Sequence, residues 1–304
     1  MIKFNFILLK ITILALPFVS CSQQKIKEDT LIKIDTNQYN SIYNPPYYEQ
    51  FSNKWTELEK GLSYIELDAP RKDKVGDSKI SILKINPENF SFEMLSASQT
   101  DSVPLCVVDW AEKFNLKVVI NAGMYDLKRK LSSKGLLQND LNYSNNSNLY
   151  EGYNSIIAFN PIEKGLPNFD IIDLKCNDFS KIKNQYQSYA QGLRMIDCEG
   201  NPMSWNKNPQ WCSQLIVAKD KQQFIYFIFT RSPYSHNEMI QFMLNFEVKL
   251  VNAIYMEGGP QTSLFVDTEK GRIEKLGSYV SKTYATDKNA EFWALPNVIG
   301  IRKK

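Results

Sequence analysis

Short runs that alternate apolar and polar residues, or are apolar throughout, recur along this chain, and turn-forming residues cut each one off. Such runs read as strands, and they confine the chain to folds built around sheets. Residues 62–67, 79–85 and 90–95 alternate and suggest an antiparallel start. Residues 117–120 are apolar after Lys117, 155–159 stop at Asn160-Pro161, and 189–196 run into a turn over 197–202. Residues 213–218 and 223–230 form a hairpin around 219–222, and 253–256 and 297–301 add two more strands. Asp101 or Ser102 can cap a helix with Pro104 in its first turn, running through Phe114. Ser235 or Asn237 can cap another, carrying Met239, Ile240, Met243, Leu244 and Phe246. The Asn/Ser-rich stretch 139–148 reads as a loop. The expected class is α+β: mixed sheets with hairpins and a few helices, not a regular doubly wound sheet.

The chain opens with an apolar stretch, residues 4–9 and 11–19, flanked by Lys3 and Lys10 and ending at Ser20-Cys21. It is too short for a membrane span and reads as an export signal with a bacterial lipobox, cleaved before Cys21. The expected organisation is a lipoprotein signal peptide over 1–20, a lipidated tether and lead-in over 21–54, and a globular body over 55–304. Lipid on Cys21 would hold the protein to a membrane of the cell envelope, at the outer membrane or periplasmic face. The body leaves Cys106, Cys176, Cys198 and Cys212, which allow three full pairings in an oxidising compartment or remain as buried thiols. Cys212 beside Trp211 reads as packing or disulfide, not as a nucleophile.

With 36 basic and 33 acidic residues the formal charge is only +3, which gives no footprint for nucleic acid. A single histidine, His236, rules out multi-histidine metal clusters. A Ser-His-Asp triad would have to use it as the base. It lies between a strand end and a helix cap, where a surface or cap role competes with acid/base chemistry. No GxGxxG or GxxxxGK[ST] occurs. No metal-ligand spacing is present and no cofactor is expected, although a divalent cation shared between carboxylates and a substrate phosphate is compatible with the sequence.

Two places share one design. The apolar strand ending at Ile120 leads into Asn121-Ala122-Gly123-Met124-Tyr125-Asp126, and the one ending at Met256 leads into Glu257-Gly258-Gly259-Pro260-Gln261-Thr262. A polar group just past a strand end, beside glycine, is a way to build a cleft on a rigid scaffold. Each is equally an ordinary tight turn. Within 189–196, Arg194 among apolar residues either pairs with a carboxylate, Glu257 or Asp126 being candidates, or binds an anion.

Taken together and in this order, Asn121–Asp126, Gln191-Gly192 and Tyr255-Met256-Glu257-Gly258-Gly259 with Thr262 resemble the phosphodiester glycosidase family. The closing residues 295–300 are similar to its last strand. The resemblance implies a phosphodiester glycosidase-like domain over 55–304 and hydrolysis of the sugar–phosphate bond of a glycosyl-1-phosphodiester. It implies Asp126 and Glu257 as acid/base or nucleophile. Arg194 would hold phosphate oxygens, and Asn121, Gly123, Gln191, Thr262 and His236 would meet sugar or phosphate. Gly258 and Gly259 would offer N–H groups to an anion. The chain departs from the family where Glu257 replaces an aspartate, and where Trp211-Cys212-Ser213-Gln214 replaces an arginine-glycine segment. A glycan-binding envelope lipoprotein on the same fold, without catalysis, is the alternative.

Overall fold

The computed structural model describes residues 54–126, 128–204, 211–280 and 285–304, so the apolar leader, Cys21 and the lead-in to residue 53 lie outside the described residues. The chain begins with β1 (Thr56–Glu59), β2 (Leu62–Asp68), β3 (Lys79–Ile85), β4 (Phe90–Ser96), α1 (Val107–Phe114) and β5 (Val118–Asn121). It continues through β6 (Leu137–Gln138), β7 (Ser144–Asn146), β8 (Ser155–Pro161), β9 (Phe169–Asp173), α2 (Phe179–Ile182) and β10 (Tyr186–Ile196). Then come β11 (Trp211–Asp220), β12 (Ile225–Ser235), α3 (His236–Asn245), β13 (Leu250–Gly258), β14 (Ser263–Thr268) and β15 (Gly271–Leu276). It ends with β16 (Tyr279–Val280), β17 (Ala285–Thr286) and β18 (Asn297–Lys303).

An 11-stranded sheet runs β1-β2-β3-β12-β11-β13-β10-β6-β7, with β8 also on β10 and β9 on β8. A 5-stranded sheet runs β15-β14-β5-β18-β4, and β16-β17 is a separate ribbon. The two large sheets face each other across one apolar layer. Leu62, Leu83, Val217, Phe227, Ile254 and Met256 come from the first, and Phe92, Val118, Ile120, Leu264, Val266 and Ile299 from the second. Alternation along each strand makes this possible, because successive side chains point to opposite faces. The outer face of the first sheet is covered by α3, whose Met239, Ile240 and Met243 pack on Ile65, Ile80, Ile216 and Ile228. The outer face of the second is covered by α1, through Val107, Trp110 and Ala111 against Val119, Phe265 and Val298.

The molecule is therefore mainly β with a few helices, a correction to the α+β expectation in the weight of helix. The hairpin of residues 213–230 is the one expected. Strand β4, read with β2 and β3 as one antiparallel start, instead pairs with β18 in the second sheet, and the β14–β15 hairpin was not read from the sequence. The first helix also starts later than its apparent caps. Asp101 instead takes Lys113 in an ion pair and accepts from the Val103 N–H, and Leu105 bridges to Leu295. Helix α1 starts at Val107 with no side-chain cap. Ser235 does cap α3, in a reciprocal box with Glu238. The stretch 139–148 is not all loop, since β7 lies within it and pairs with β6. Cys176 and Cys198 form a disulfide, with Cα atoms 6.6 Å apart. Cys106 and Cys212 are not in a disulfide; Cys106 is buried and Cys212 half-buried.

Candidate active site around Glu257

Glu257 stands at the end of β13, where the ladder slips. Leu215 pairs with Glu257 and the next residue, Ile216, with Tyr255, so Met256 is an extra residue in the strand. Such a bulge bends a strand and re-aims its side chains. On the other side of β11, the register with β12 also shifts between Cys212 and Gln214. At this end of the sheet the Cys212 sulfur lies 3.7 Å from the Tyr255 hydroxyl, and the His236 ring meets the Tyr255 ring edge-on at 4.6 Å.

The Glu257 carboxylate joins the two segments that share a strand-then-glycine design. One oxygen accepts from the Tyr125 N–H at 3.0 Å, the other from the Gly258 N–H at 2.9 Å. Tyr125 is held in turn by its hydroxyl, which donates to the Asn297 carbonyl at 3.1 Å. Gly123 has φ +72°, the left-handed region, which lets β5 turn sharply into Tyr125. The facing wall comes from the loop between β5 and β8. The Lys134 N–H donates to the Met124 carbonyl at 2.7 Å, and the Lys134 ammonium lies 4.6 Å from the centre of the Tyr150 ring and 6.0 Å from that of Tyr153. These two rings are 4.7 Å apart.

Burial dominates the electrostatics. It pushes the Glu257 carboxyl up to about 7, against the smaller downward pulls of the Tyr125 and Gly258 amides and the Lys134 charge. Burial raises the Tyr153 hydroxyl, and the Glu257 charge adds to it. Burial pushes the Cys212 thiol up to about 12, so a thiolate nucleophile has no support here. Burial lowers His236 to about 4, which keeps it neutral at neutral pH. The arrangement offers one carboxyl poised near neutrality, one neutral imidazole, several phenols and one ammonium. A carboxyl of this kind can exchange a proton with a reacting group at physiological pH.

A family model described as phosphodiester glycosidase matches residues 114–302, more than half of the chain and all of this site. The chain belongs to the phosphodiester glycosidase family. Among solved structures it is similar to the catalytic domain of zebrafish N-acetylglucosamine-1-phosphodiester alpha-N-acetylglucosaminidase, auto-inhibited by its pro-peptide. That match has 13% identity and a TM-score of 0.54, and covers 80% of this chain and 84% of that one. It is also similar to a hypothetical protein from Synechocystis, with 12% identity and a TM-score of 0.52, over 83% of this chain and 64% of that one. At these identities the likeness is one of fold. No curated protein sequence matches the chain.

In this member of the family the residues singled out by sequence divide into two groups. Glu257, Gly258, Gly123 and His236 gather at the site. The Gly258 N–H is turned to the Glu257 carboxylate, not offered to an anion. Gly259, at φ +74°, has open space where a side chain would be. Asp126 lies next to Tyr125 but is taken up in its own turn, accepting from the Lys128 and Arg129 N–H groups and pairing with the Arg129 guanidinium. Arg194 pairs with buried Asp173, and neither Glu257 nor Asp126 is its partner. Gln191 is fully engaged by backbone: its oxygen accepts from Leu136 and Tyr150, and its amide donates to Tyr150 and Tyr153. Thr262 is buried and its hydroxyl faces the Ser213 carbonyl at 3.4 Å. Asn121 is buried and accepts from the Ser263 N–H at 2.9 Å.

Sequence reasoning passed over Lys134, Tyr150 and Tyr153. The available signal was two tyrosines in a polar loop that follows the Asn121–Asp126 segment. Among the described residues, Asp173, Cys176 and Cys198 lie at metal-ligand spacing, but the two sulfurs are joined in the disulfide and Asp173 holds Arg194.

Proposed function

We propose that this protein hydrolyses the bond between the anomeric carbon and phosphate oxygen of a glycosyl-1-phosphodiester, with Glu257 as general base. The observation that carries the reading is the Glu257 carboxyl itself, pushed up to about 7 by burial and oriented by the Tyr125 and Gly258 N–H groups. Membership of the family supports the substrate class. In the reaction a water oxygen attacks the anomeric carbon while its proton passes to the Glu257 carboxylate. The carbon–oxygen bond to phosphate breaks, its electron pair leaves with the phosphomonoester, and Glu257 returns the proton to solvent. The leaving phosphate is a stable anion, so the step needs no strong general acid. One displacement by water inverts the configuration at the anomeric carbon. Asp126, committed to Arg129, takes no step.

The test is turnover of a panel of aryl and sugar glycosyl-1-phosphodiesters, read as released reducing sugar. Glu257→Gln is expected to lower kcat by about 10²–10⁴, and Asp126→Asn to change it only a few-fold. In the wild type kcat/KM is expected to rise with pH through about 7. Full turnover by Glu257→Gln would sink the reading. No turnover by the wild type on any diester, with saccharide binding intact, would instead favour a glycan-binding protein.

A further inference from the structure

A phosphodiester carries a negative charge, and the Glu257 carboxylate repels it. A cation facing the substrate would offset that repulsion. The arginines near this end of the fold are already committed: Arg194 to Asp173, Arg129 to Asp126, and Arg231 to Asp287. Lys134 differs. It is exposed, and among the described residues it has no carboxylate within ion-pair distance. Its backbone is bonded to Met124, beside the Tyr125 amide that holds Glu257. Its ammonium stands over the Tyr150 ring, within reach of Tyr153. The mount is rigid. A side chain at neighbouring Gly135 would meet the Gln191 amide oxygen at 2.7 Å and the Tyr153 ring at 2.9 Å.

We propose that Lys134 anchors the phosphate of the substrate, with Tyr150 and Tyr153 as the aromatic wall on which the adjoining neutral group stacks. The proposal rests on the phosphodiester reading above and assigns the anion site within it. Lysine suits this place. Its ammonium is a compact charge on a long stem, so it can follow a diester whose two substituents differ, where an arginine fork would demand one orientation. The rings lend the ammonium a favourable face in the free state without neutralising it.

The experiment is a phosphorus NMR titration of the full chain with diethyl phosphate, an anionic diester without sugar, and with triethyl phosphate, its neutral counterpart. Wild type is expected to bind the anion and to leave the neutral ester unbound. Lys134→Met should weaken binding of the anion about tenfold or more, the loss of one charge-assisted contact. Lys134→Arg should hold it within a few-fold, and Glu257→Gln should bind at least as tightly as wild type. Because Lys134 is exposed, Lys134→Met should melt as wild type does, which separates lost binding from lost fold. Equal affinity of Lys134→Met and wild type overturns the proposal, as does absence of binding in wild type or equal binding of the neutral ester. No turnover is read here. Failure of this titration therefore leaves the glycosidase reading standing, and failure of the Glu257 kinetics leaves the Lys134 anion site standing.

Discussion

At Gly258 there is no room for a side chain. A Cβ would press on the Tyr255 hydroxyl and stand 2.8 Å from the Cys212 sulfur and 2.7 Å from the Ser213 carbonyl oxygen. The carbonyl belongs to β11 and cannot give way cheaply. Gly258→Ala is expected to cost about 1–3 kcal/mol, the usual penalty of overpacking, measured by denaturant unfolding. Because the Gly258 N–H orients Glu257, turnover should fall more than tenfold in molecules that remain folded. Turnover within twofold of wild type would show that this glycine is only structural. Glu257 and Gly258 were legible in the sequence because an acid beside two glycines after an apolar strand has a visible chemistry. Arg194 and Gln191 were not. Each carries the right functional groups, but its partners, Asp173 and the backbone of residues 136–153, lie 21 to 55 residues away in the chain. Nothing local reveals whether a donor is already engaged.

At the scale of elements, Gln191 is the stitch between β10 and the loop that carries Lys134, Tyr150 and Tyr153. Its side-chain amide satisfies two backbone N–H groups and two carbonyls at 2.7–3.0 Å. Gln191→Leu keeps the volume roughly but leaves those groups without that partner, the Leu136 N–H and the Tyr153 carbonyl among them buried, an expected loss of about 3 kcal/mol. The urea midpoint should fall without a change in slope, and amides of the 131–153 loop should exchange faster than those of β11 and β12. An unaltered midpoint would mean that the loop holds itself. Most strands of both sheets were readable from alternation or from short apolar runs, but β9, β14 and β15 were not read. Nor was the segment at 144–146, because its asparagines look like loop. In the structure they replace apolar burial with amide bonds, Asn146 to the Ser133 carbonyl and Asn145 to the Leu131 carbonyl. The start of α1 was misread for a related reason: Asp101 resembles a cap but is engaged by Lys113.

At the scale of the molecule, the site exists only because the sandwich brings distant segments together: the end of β5, the loop before β8, the start of α3 and the end of β13. Strand order, with β5 between β14 and β18 and β11 between β12 and β13, is set by non-local packing and cannot be read from local periodicity. The assembled site leaves a mark on the stability of the whole fold. Glu257 has its carboxyl raised to about 7 in the folded protein, against 4.5 unperturbed. Between these values the native state binds more protons than the unfolded chain, so this group makes stability fall as pH rises, until the folded carboxyl is ionised. His236 works in the opposite direction. Lowered to about 4 from 6.5, it makes stability rise with pH across that interval. The two offset one another between about 4.5 and 6.5, and above that only Glu257 continues to act. From pH 6.5 to 8 the wild type is therefore expected to lose about 1 kcal/mol relative to Glu257→Gln, a difference of a few degrees in Tm. His236→Asn should be the less acid-sensitive protein between pH 4 and 6. Parallel melting curves for wild type and Glu257→Gln across pH 6.5–8 would mean that solvent reaches the carboxylate freely, and the poised base would lose its physical cause.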